Sequence, residues 1–177
     1  MQENIELIQK GFRSLLTALS GFIGQEMSRK YKNNWWEEVR EALSDQYDLP
    51  YSESYSELID SLDIANCLRL IDRRWNEVFR DILSLNCRTW AKELMGVRNV
   101  VAHAGSQDTD DRYSERALDT MALLCKEIDD EAEKEIRELY FSIRNRSIEA
   151  KESNVEIEQP LSDVSGRKGL LGLIGTD

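Results

Sequence analysis

The only histidine of this chain lies five residues after an arginine, in the run Arg98-Asn99-Val100-Val101-Ala102-His103. A histidine side chain can accept and donate protons near neutral pH because its unperturbed pKa lies there. An arginine about one helical turn away carries a permanent charge and can bind two phosphate oxygens at once. The residue types and their spacing therefore suggest chemistry on a phosphodiester.

A helical projection of residues 90–104 predicts which way these side chains face. At about 100° per residue, Asn99 and His103 lie one turn apart on one side of the helix, with Arg98 on the flank. A lone histidine is often a buried, hydrogen-bonded core residue, but this projection favours an outward orientation. The opposite side is an apolar stripe that we expect to pack on the core. Its members are Trp90, Leu94, Val97, Val101 and Ala104.

The outward side of this helix also carries small or soft apolar residues, Met95 and Ala102, between the polar ones. Such a mixed face suits a protein interface, and a dimer would bring two copies of the polar residues together. The helix is predicted to end at Gly105, because glycine readily adopts the conformation that follows many helices. An acidic group then opens the next segment, which is the usual start of a helix. It consists of Asp108, Asp110 and Asp111.

The composition is typical of a single helical domain. The chain has 177 residues, of which 41% are hydrophobic and 32% charged, with only 9 glycines and 2 prolines. Its cysteines, Cys67, Cys87 and Cys125, are scattered, which favours neither a zinc site nor a disulfide framework. No apolar run approaches the length of a membrane span, and no signal sequence is recognisable. We therefore expect a cytoplasmic protein with no bound metal, no cofactor and no membrane association.

The net charge of −11 argues against general binding of nucleic acid, but its distribution is uneven. Residues 66–103 contain seven Lys or Arg against four Asp or Glu, whereas both flanking segments are acidic. This basic stretch ends in the Arg98–His103 run, so it favours a confined RNA site, although a helix face with ordinary salt bridges is the alternative. The candidate RNA-binding residues are Arg69, Arg73, Arg74, Arg88 and Lys92.

Apolar residues recur at helical spacing through most of the chain, and no segment has a convincing strand pattern. The sequence therefore predicts an all-α bundle of about five to six helices. The main predicted helices cover residues 3–30, 35–43, 58–71, 72–83, 90–104 and 114–146.

We place the helical domain at residues 1–147 and a polar linker with a Gly-rich apolar tail at residues 148–177. The tail is either a disordered segment with a short partner-binding patch or the start of a further domain. The second reading is favoured because an apolar terminal run exposed to water is a liability.

The Arg-Asn-x-x-x-His arrangement near the end of an inner helix resembles the HEPN superfamily (higher eukaryotes and prokaryotes nucleotide-binding). The resemblance covers roughly residues 5–145. Trp75 and Phe79 upstream, together with the segment 90–97, are most similar to one branch of it. This branch includes nuclear messenger-RNA quality-control endoribonucleases and bacterial phage-defence proteins in which a similar domain precedes a large ATPase.

The resemblance implies a bundle of the HEPN type and metal-independent RNA cleavage at a site shared by two protomers. His103 would act as general base or acid, Arg98 would stabilise charge on the phosphate, and Asn99 would orient the histidine or the phosphate. The product would be a 2′,3′-cyclic phosphate. Because the chain has one histidine, acid and base roles would be shared across the dimer or filled by water. Glu93 is a further acidic candidate, although it is more simply read as a surface residue.

Three functions follow from these observations. The first is a dimeric endoribonuclease, a toxin-like effector in phage defence or RNA processing. The second is a non-catalytic HEPN module that binds RNA, dimerises, or docks a fused or associated ATPase. The third, ranked lowest, is a helical scaffold in which His103 merely caps its helix.

Overall fold

The computed structural model describes residues 2–45 and 48–158, which contain seven α-helices and no β-strand. The all-α prediction is therefore confirmed. The helices are α1 (Glu3–Tyr31), α2 (Trp35–Leu43), α3 (Tyr55–Asp60), α4 (Ile64–Arg73), α5 (Leu85–His103), α6 (Asp111–Lys126) and α7 (Asp130–Glu158). Two shorter elements join them, a 3₁₀ turn at Lys32–Asn34 and a π-helical turn at Trp75–Phe79.

Helix α1 is the element around which the bundle is built. It packs against α2, α4, α6 and α7, while α5 lies between α4 and α6. The apolar residues of α1 recur every three or four positions, so one side of the helix is continuously buried. Its fully buried side chains are Ile8, Leu15, Leu19, Ile23 and Met27.

The single helix predicted for residues 114–146 is wrong, because the chain turns at residues 127–129 and forms the separate helices α6 and α7. The Asp129 carboxylate accepts a hydrogen bond of 3.0 Å from the backbone N–H of Ala132 and so caps the start of α7. The acidic residues that follow Asp129 form the first turn of α7. Negative charge there is stabilised by the helix dipole.

The helix predicted for residues 72–83 is also interrupted. Helix α4 ends at Arg73, and the following π-helical turn is marked by a hydrogen bond of 2.8 Å from the Arg80 N–H to the Trp75 carbonyl. This wider turn carries three buried side chains, Trp75, Val78 and Phe79. All three side chains belong to the hydrophobic core, so the irregular turn lies in the packed interior.

Helix α7 continues across the predicted boundary at residues 147 and 148 as far as Glu158. The division into a domain of residues 1–147 and a linker with a tail stays a prediction, because the segment 159–177 lies outside the described residues. Within the part of the chain that is described, no helix has the length and apolar character needed to cross a membrane.

Two glycines of α1 provide a matched test of this packing. A Cβ at Gly11 would lie 2.7 Å from Leu118 Cδ2 and 2.8 Å from Met121 Sδ, and both side chains are fully buried. A Cβ at Gly21 would meet no atom within 4 Å. We expect Gly11→Ala to lower the free energy of unfolding by about 1–3 kcal/mol through overpacking. Gly21→Ala should raise it by about 0.5–1 kcal/mol.

Urea unfolding of both variants checks this prediction. If Gly11→Ala were as stable as Gly21→Ala, the close approach of α1 and α6 would not be a constraint on the fold.

Candidate active site

The inner face of α5 holds this helix against the bundle. Its buried residues are Cys87, Ala91, Leu94 and Val97, and Trp90, Met95 and Val101 are partly buried against the same core. The structure thus places the apolar stripe of α5 largely where the helical projection predicts it. Two residues differ from the projection: Ala91, which it did not assign to the core, is fully buried, and Met95, which it placed on the outward side, is partly buried against the core.

The outer face of α5 carries Asn99 and His103, and both side chains are exposed, as the projection predicts. Arg98 is half-buried on the flank, and its Nη1 lies 3.4 Å from Asn99 Oδ1. Among the described residues, His103 has no hydrogen-bond or ion-pair partner. The structure therefore brings the three residues together on one surface and leaves the imidazole free to contact a ligand.

Helix α5 ends directly after His103. Gly105 has a φ of +60°, in the left-handed region that glycine adopts without strain. The Gln107 N–H donates to the Ala104 carbonyl at 3.1 Å and closes a tight turn. The position of His103 at the helix end therefore depends on how the loop of residues 104–110 is held.

Asp108 attaches this loop to the start of α1. Its carboxylate accepts hydrogen bonds from the backbone N–H groups of Asn4 at 3.0 Å and Ile5 at 2.8 Å. Because no side chain at the start of α1 caps that helix, Asp108 takes this role from more than 100 residues away. The Gln2 side chain adds hydrogen bonds to the Gly105 and Gln107 carbonyls.

Asn4 links the same loop to α6 and α7. Its buried side chain donates to the Thr109 carbonyl and to Asp111 Oδ1, both at 2.8 Å. Arg146 of α7 donates to Asn4 Oδ1 at 2.5 Å and to Asp111 Oδ1 at 2.9 Å. Sequence reasoning identified Asp108 and Asp111 only as a helix-start signal, and it missed Asn4 and Arg146.

Two carboxylates of this junction have pKa values below the usual range. Hydrogen bonds from Asn4 and Ser147, together with the charge of Arg146, lower the pKa of Asp111. Burial by itself would raise the pKa of Asp108, but backbone N–H donors from Asn4, Ile5 and Thr109 lower it overall. Both carboxylates are therefore stabilised in their charged form by the folded structure.

Glu93 lies outside this junction and forms a salt bridge with Arg116 of α6. Its two carboxylate oxygens accept from the Arg116 Nε at 2.8 Å and Nη2 at 3.0 Å, and Thr120 Oγ1 donates to it at 3.0 Å. This bidentate pair joins α5 to α6. In the structure Glu93 holds α5 against α6, a role that the sequence analysis, which considered an acidic partner in catalysis or a simple surface residue, did not predict.

The basic residues predicted to bind RNA separate into two groups. Arg69, Arg73 and Lys92 line one pocket between α4 and α5, and Arg88 lies beside it through a hydrogen bond of 2.7 Å to Asp72. Arg73 forms a bidentate pair with Asp45 at 2.6 Å and 3.2 Å.

Arg74 points elsewhere. It donates to Glu38 Oε2 at 3.2 Å, and its side chain is only 17% exposed. It is therefore engaged with α2.

Comparison with known proteins gives one family match. A family described as Swt1-like HEPN matches residues 10–129. This range contains all of α5 and the Arg98-Asn99-x-x-x-His103 arrangement. No curated protein and no solved structure is significantly similar to the chain.

The lowered pKa of Asp108 predicts how stability depends on pH. Because the pKa of Asp108 in the folded protein is below the ordinary value of 3.8, the carboxylate stabilises the fold above about pH 4. This contribution is lost as the pH falls through the folded pKa. Asp108→Asn should lower the free energy of unfolding at pH 7 by about 0.5–2 kcal/mol, the usual effect of losing a cap. The variant should also lose less stability than the wild type when the pH is lowered from about 5 to 3.

Urea unfolding across this pH range measures both effects. Asp81→Asn is the control, since the Asp81 side chain is 89% exposed and should behave like the wild type. An identical pH slope for Asp108→Asn and the wild type would contradict the assignment of Asp108 as the cap of α1.

Proposed function

The chain belongs to the Swt1-like HEPN family, and from this membership and the surface of α5 we propose that it is a dimeric, metal-independent endoribonuclease. Family membership supports the broader class of RNase-like or RNA-binding modules. The observation that carries the nuclease proposal is the outward cluster of Arg98, Asn99 and His103, in which the imidazole has no partner within the described residues. A proton-transfer group must be reachable by the substrate in this way.

The proposed reaction is an attack of the ribose 2′-oxygen on the adjacent phosphorus. One His103 accepts the proton of the 2′-hydroxyl, and the bond from phosphorus to the 5′-oxygen breaks. The protonated His103 of the second protomer, or a water molecule, donates a proton to the leaving 5′-oxygen. Arg98 stabilises the charge that develops on the phosphate, and Asn99 orients the phosphate or the imidazole. The products are a 2′,3′-cyclic phosphate and a 5′-hydroxyl.

Small side chains around the cluster favour a dimer through α5. A Cβ at Gly96 would meet no atom within 4 Å, Ala102 is exposed, and Val100 is 45% exposed. Such residues allow a second helix to approach closely. In a twofold dimer each contact occurs twice, so a crossing near Val100 would place both copies of Asn99 and His103 around the axis.

The basic surface beside α5 supports RNA as the substrate. Arg88 and Lys92 lie on α5 itself, and Arg69 and Arg73 lie across from them on α4. In a chain of net charge −11 this local excess of cations can attract a phosphate backbone to one place. Arg74 contributes differently, because its guanidinium is held by Glu38.

The alternative function is a non-catalytic HEPN module that binds RNA, dimerises or docks a partner such as an ATPase. The overall negative charge and the single histidine per chain favour this alternative. In either case we propose a cytoplasmic role in phage defence or RNA processing, with the nuclease acting as a toxin-like effector.

The direct test compares RNA cleavage in EDTA by the wild type, Arg98→Ala and His103→Ala. We expect each substitution to reduce the rate by at least about a hundredfold, since it removes proton transfer or charge stabilisation. Arg80→Ala is the matched control, because Arg80 is exposed and lies outside the motif. Light scattering should show that all four proteins have the same oligomeric state.

Cleavage that persists in His103→Ala would overturn the assignment of the general base. A wild-type dimer that binds RNA without cleaving it would favour the alternative module.

The dimer is tested by two arginine substitutions at exposed glycines. Gly96→Arg should leave the protomer folded, because space is open at this position, but should block the approach of a second α5. We expect a monomer with no cleavage activity. Gly21→Arg on α1 is the control, since Gly21 has the same open space and should retain both the dimer and the activity. A Gly96→Arg protein that remained dimeric would place the interface elsewhere.

A further inference from the structure

An open groove of about 590 Å³ runs between the start of α6 and the second half of α7. Most of the residues that line it are exposed, so a ligand in the groove can touch them directly. The exposed lining residues are Arg112, Arg144, Ile148, Ala150, Lys151 and Asn154.

The two carboxylates that line this α6–α7 groove are already neutralised within the bundle. Asp111 accepts hydrogen bonds from Arg146 at 2.9 Å and from Ser147 at 2.8 Å. Glu115 pairs with Arg144 at 3.2 Å, and its side chain is only 16% exposed. The negative charges of the groove are therefore balanced before any ligand binds.

Two cations of the groove are left over. Among the described residues, neither Arg112 nor Lys151 has a hydrogen-bond or ion-pair partner, and both are exposed. The nearby Glu149 and Glu152 do not line the groove. At about 100° per residue they lie roughly 160° and 100° around α7 from Lys151. In a chain of net charge −11, this local surplus of positive charge favours an anionic ligand.

The spacing of the cations fits a chain of phosphates better than a single anion. Arg144 and Lys151 are seven residues apart on one side of α7, which places them about 10 Å apart along the helix axis. Because Glu115 holds the guanidinium of Arg144, this cation cannot join Lys151 on one small anion without breaking an ion pair. A ligand with phosphates at intervals can contact both cations where they stand.

The groove lies at the end of the bundle that carries the proposed catalytic cluster. Helices α5 and α6 run antiparallel, since Ser84 at the start of α5 contacts Glu127 just beyond the end of α6. Glu93 contacts Arg116, so Arg112, one turn earlier in α6, lies level with the last turns of α5. Packed helices lie about 8–10 Å apart, so the groove is roughly 10–20 Å from the cluster.

We infer that the α6–α7 groove binds the phosphate backbone of the RNA strand beside the segment that is cut. Arg112, Arg144 and Lys151 contact different phosphates, and Asn154 donates to a phosphate or sugar oxygen. Such contacts position the strand without reading its bases. The inference rests on the proposed function and adds a binding surface on the side of α5 opposite the basic α4–α5 surface.

The experiment measures binding of a single-stranded RNA oligonucleotide to the full chain, in EDTA and with His103→Ala so that the RNA stays intact. Arg112→Gln and Lys151→Gln should each weaken binding about eightfold at 50 mM salt and about threefold at 200 mM. Each should also make the plot of log K against log salt less steep by about 0.7, because one phosphate contact is lost. Lys126→Gln and Arg80→Gln are the matched controls, since both residues are exposed and lie outside the groove.

Thermal unfolding should be the same for all these variants, because Arg112 and Lys151 make no ion pair within the described residues. An equal loss of affinity in the controls would overturn the inference in favour of a general effect of net charge. Inorganic phosphate that displaces the RNA at the same total phosphate concentration would reduce the groove to a simple anion site. Unchanged affinity and salt dependence in both groove variants would also overturn the inference and leave the groove to an acidic partner protein.

Failure of the groove and failure of the nuclease give different results. Phosphate contacts away from the cleaved bond are equally strong in the ground state and the transition state, so Lys151→Gln should raise KM and leave kcat unchanged. If the groove substitutions weaken RNA binding but RNA is not cut, the groove stands and the nuclease does not. If RNA is cut and the substitutions change neither affinity nor KM, the nuclease stands and the groove does not.

Discussion

The contact between Asp108 and the first turn of α1 fixes where the end of α5, with Arg98, Asn99 and His103, lies in the bundle. Helix α1 contacts α2, α4, α6 and α7, and it begins with backbone N–H groups that need acceptors. Asp108 supplies two of these acceptors from the loop that follows His103. The Asp108 carboxylate therefore both caps the central helix and positions the end of α5. Asn4 and Arg146 reinforce this junction from α1 and α7.

Helix α5 is held on both flanks by salt bridges, and its outer face is exposed. Glu93 binds Arg116 on the α6 side, and Arg88 binds Asp72 on the α4 side. These contacts restrain the rotation of α5 about its axis, so the direction of Asn99 and His103 is set by the bundle. Rigid support of an exposed polar cluster is what a binding or catalytic site needs. The small residues around Gly96 then leave the surface accessible to a second chain or to RNA.

Local patterns predicted the elements well where one face of a helix is regularly apolar. The bounds of α1 agree with its predicted range of 3–30 to within one residue. The orientation of Asn99 and His103 also followed from spacing, because burial of Leu94 and Val97 forces the opposite side of α5 outward. The break at residues 127–129 was missed because it depends on the capping contact of Asp129, which a periodic pattern does not record. The π-helical turn at Trp75–Phe79 was missed because its buried residues have the spacing of a regular α-helix.

The amino-acid sequence was sufficient to identify the all-α class, the HEPN resemblance and the outward cluster of Arg98, Asn99 and His103. Tertiary structure decided which charged residues are exposed to a ligand and which are already paired in salt bridges. Arg74 is held by Glu38, 36 positions away, and Glu93 by Arg116, 23 positions away, whereas Lys92 remains 58% exposed at the rim of the α4–α5 pocket. The capping of α1 by Asp108 joins residues more than 100 positions apart. Periodicity reports only neighbours within a few helical turns, and such pairings arise only when the helices pack together.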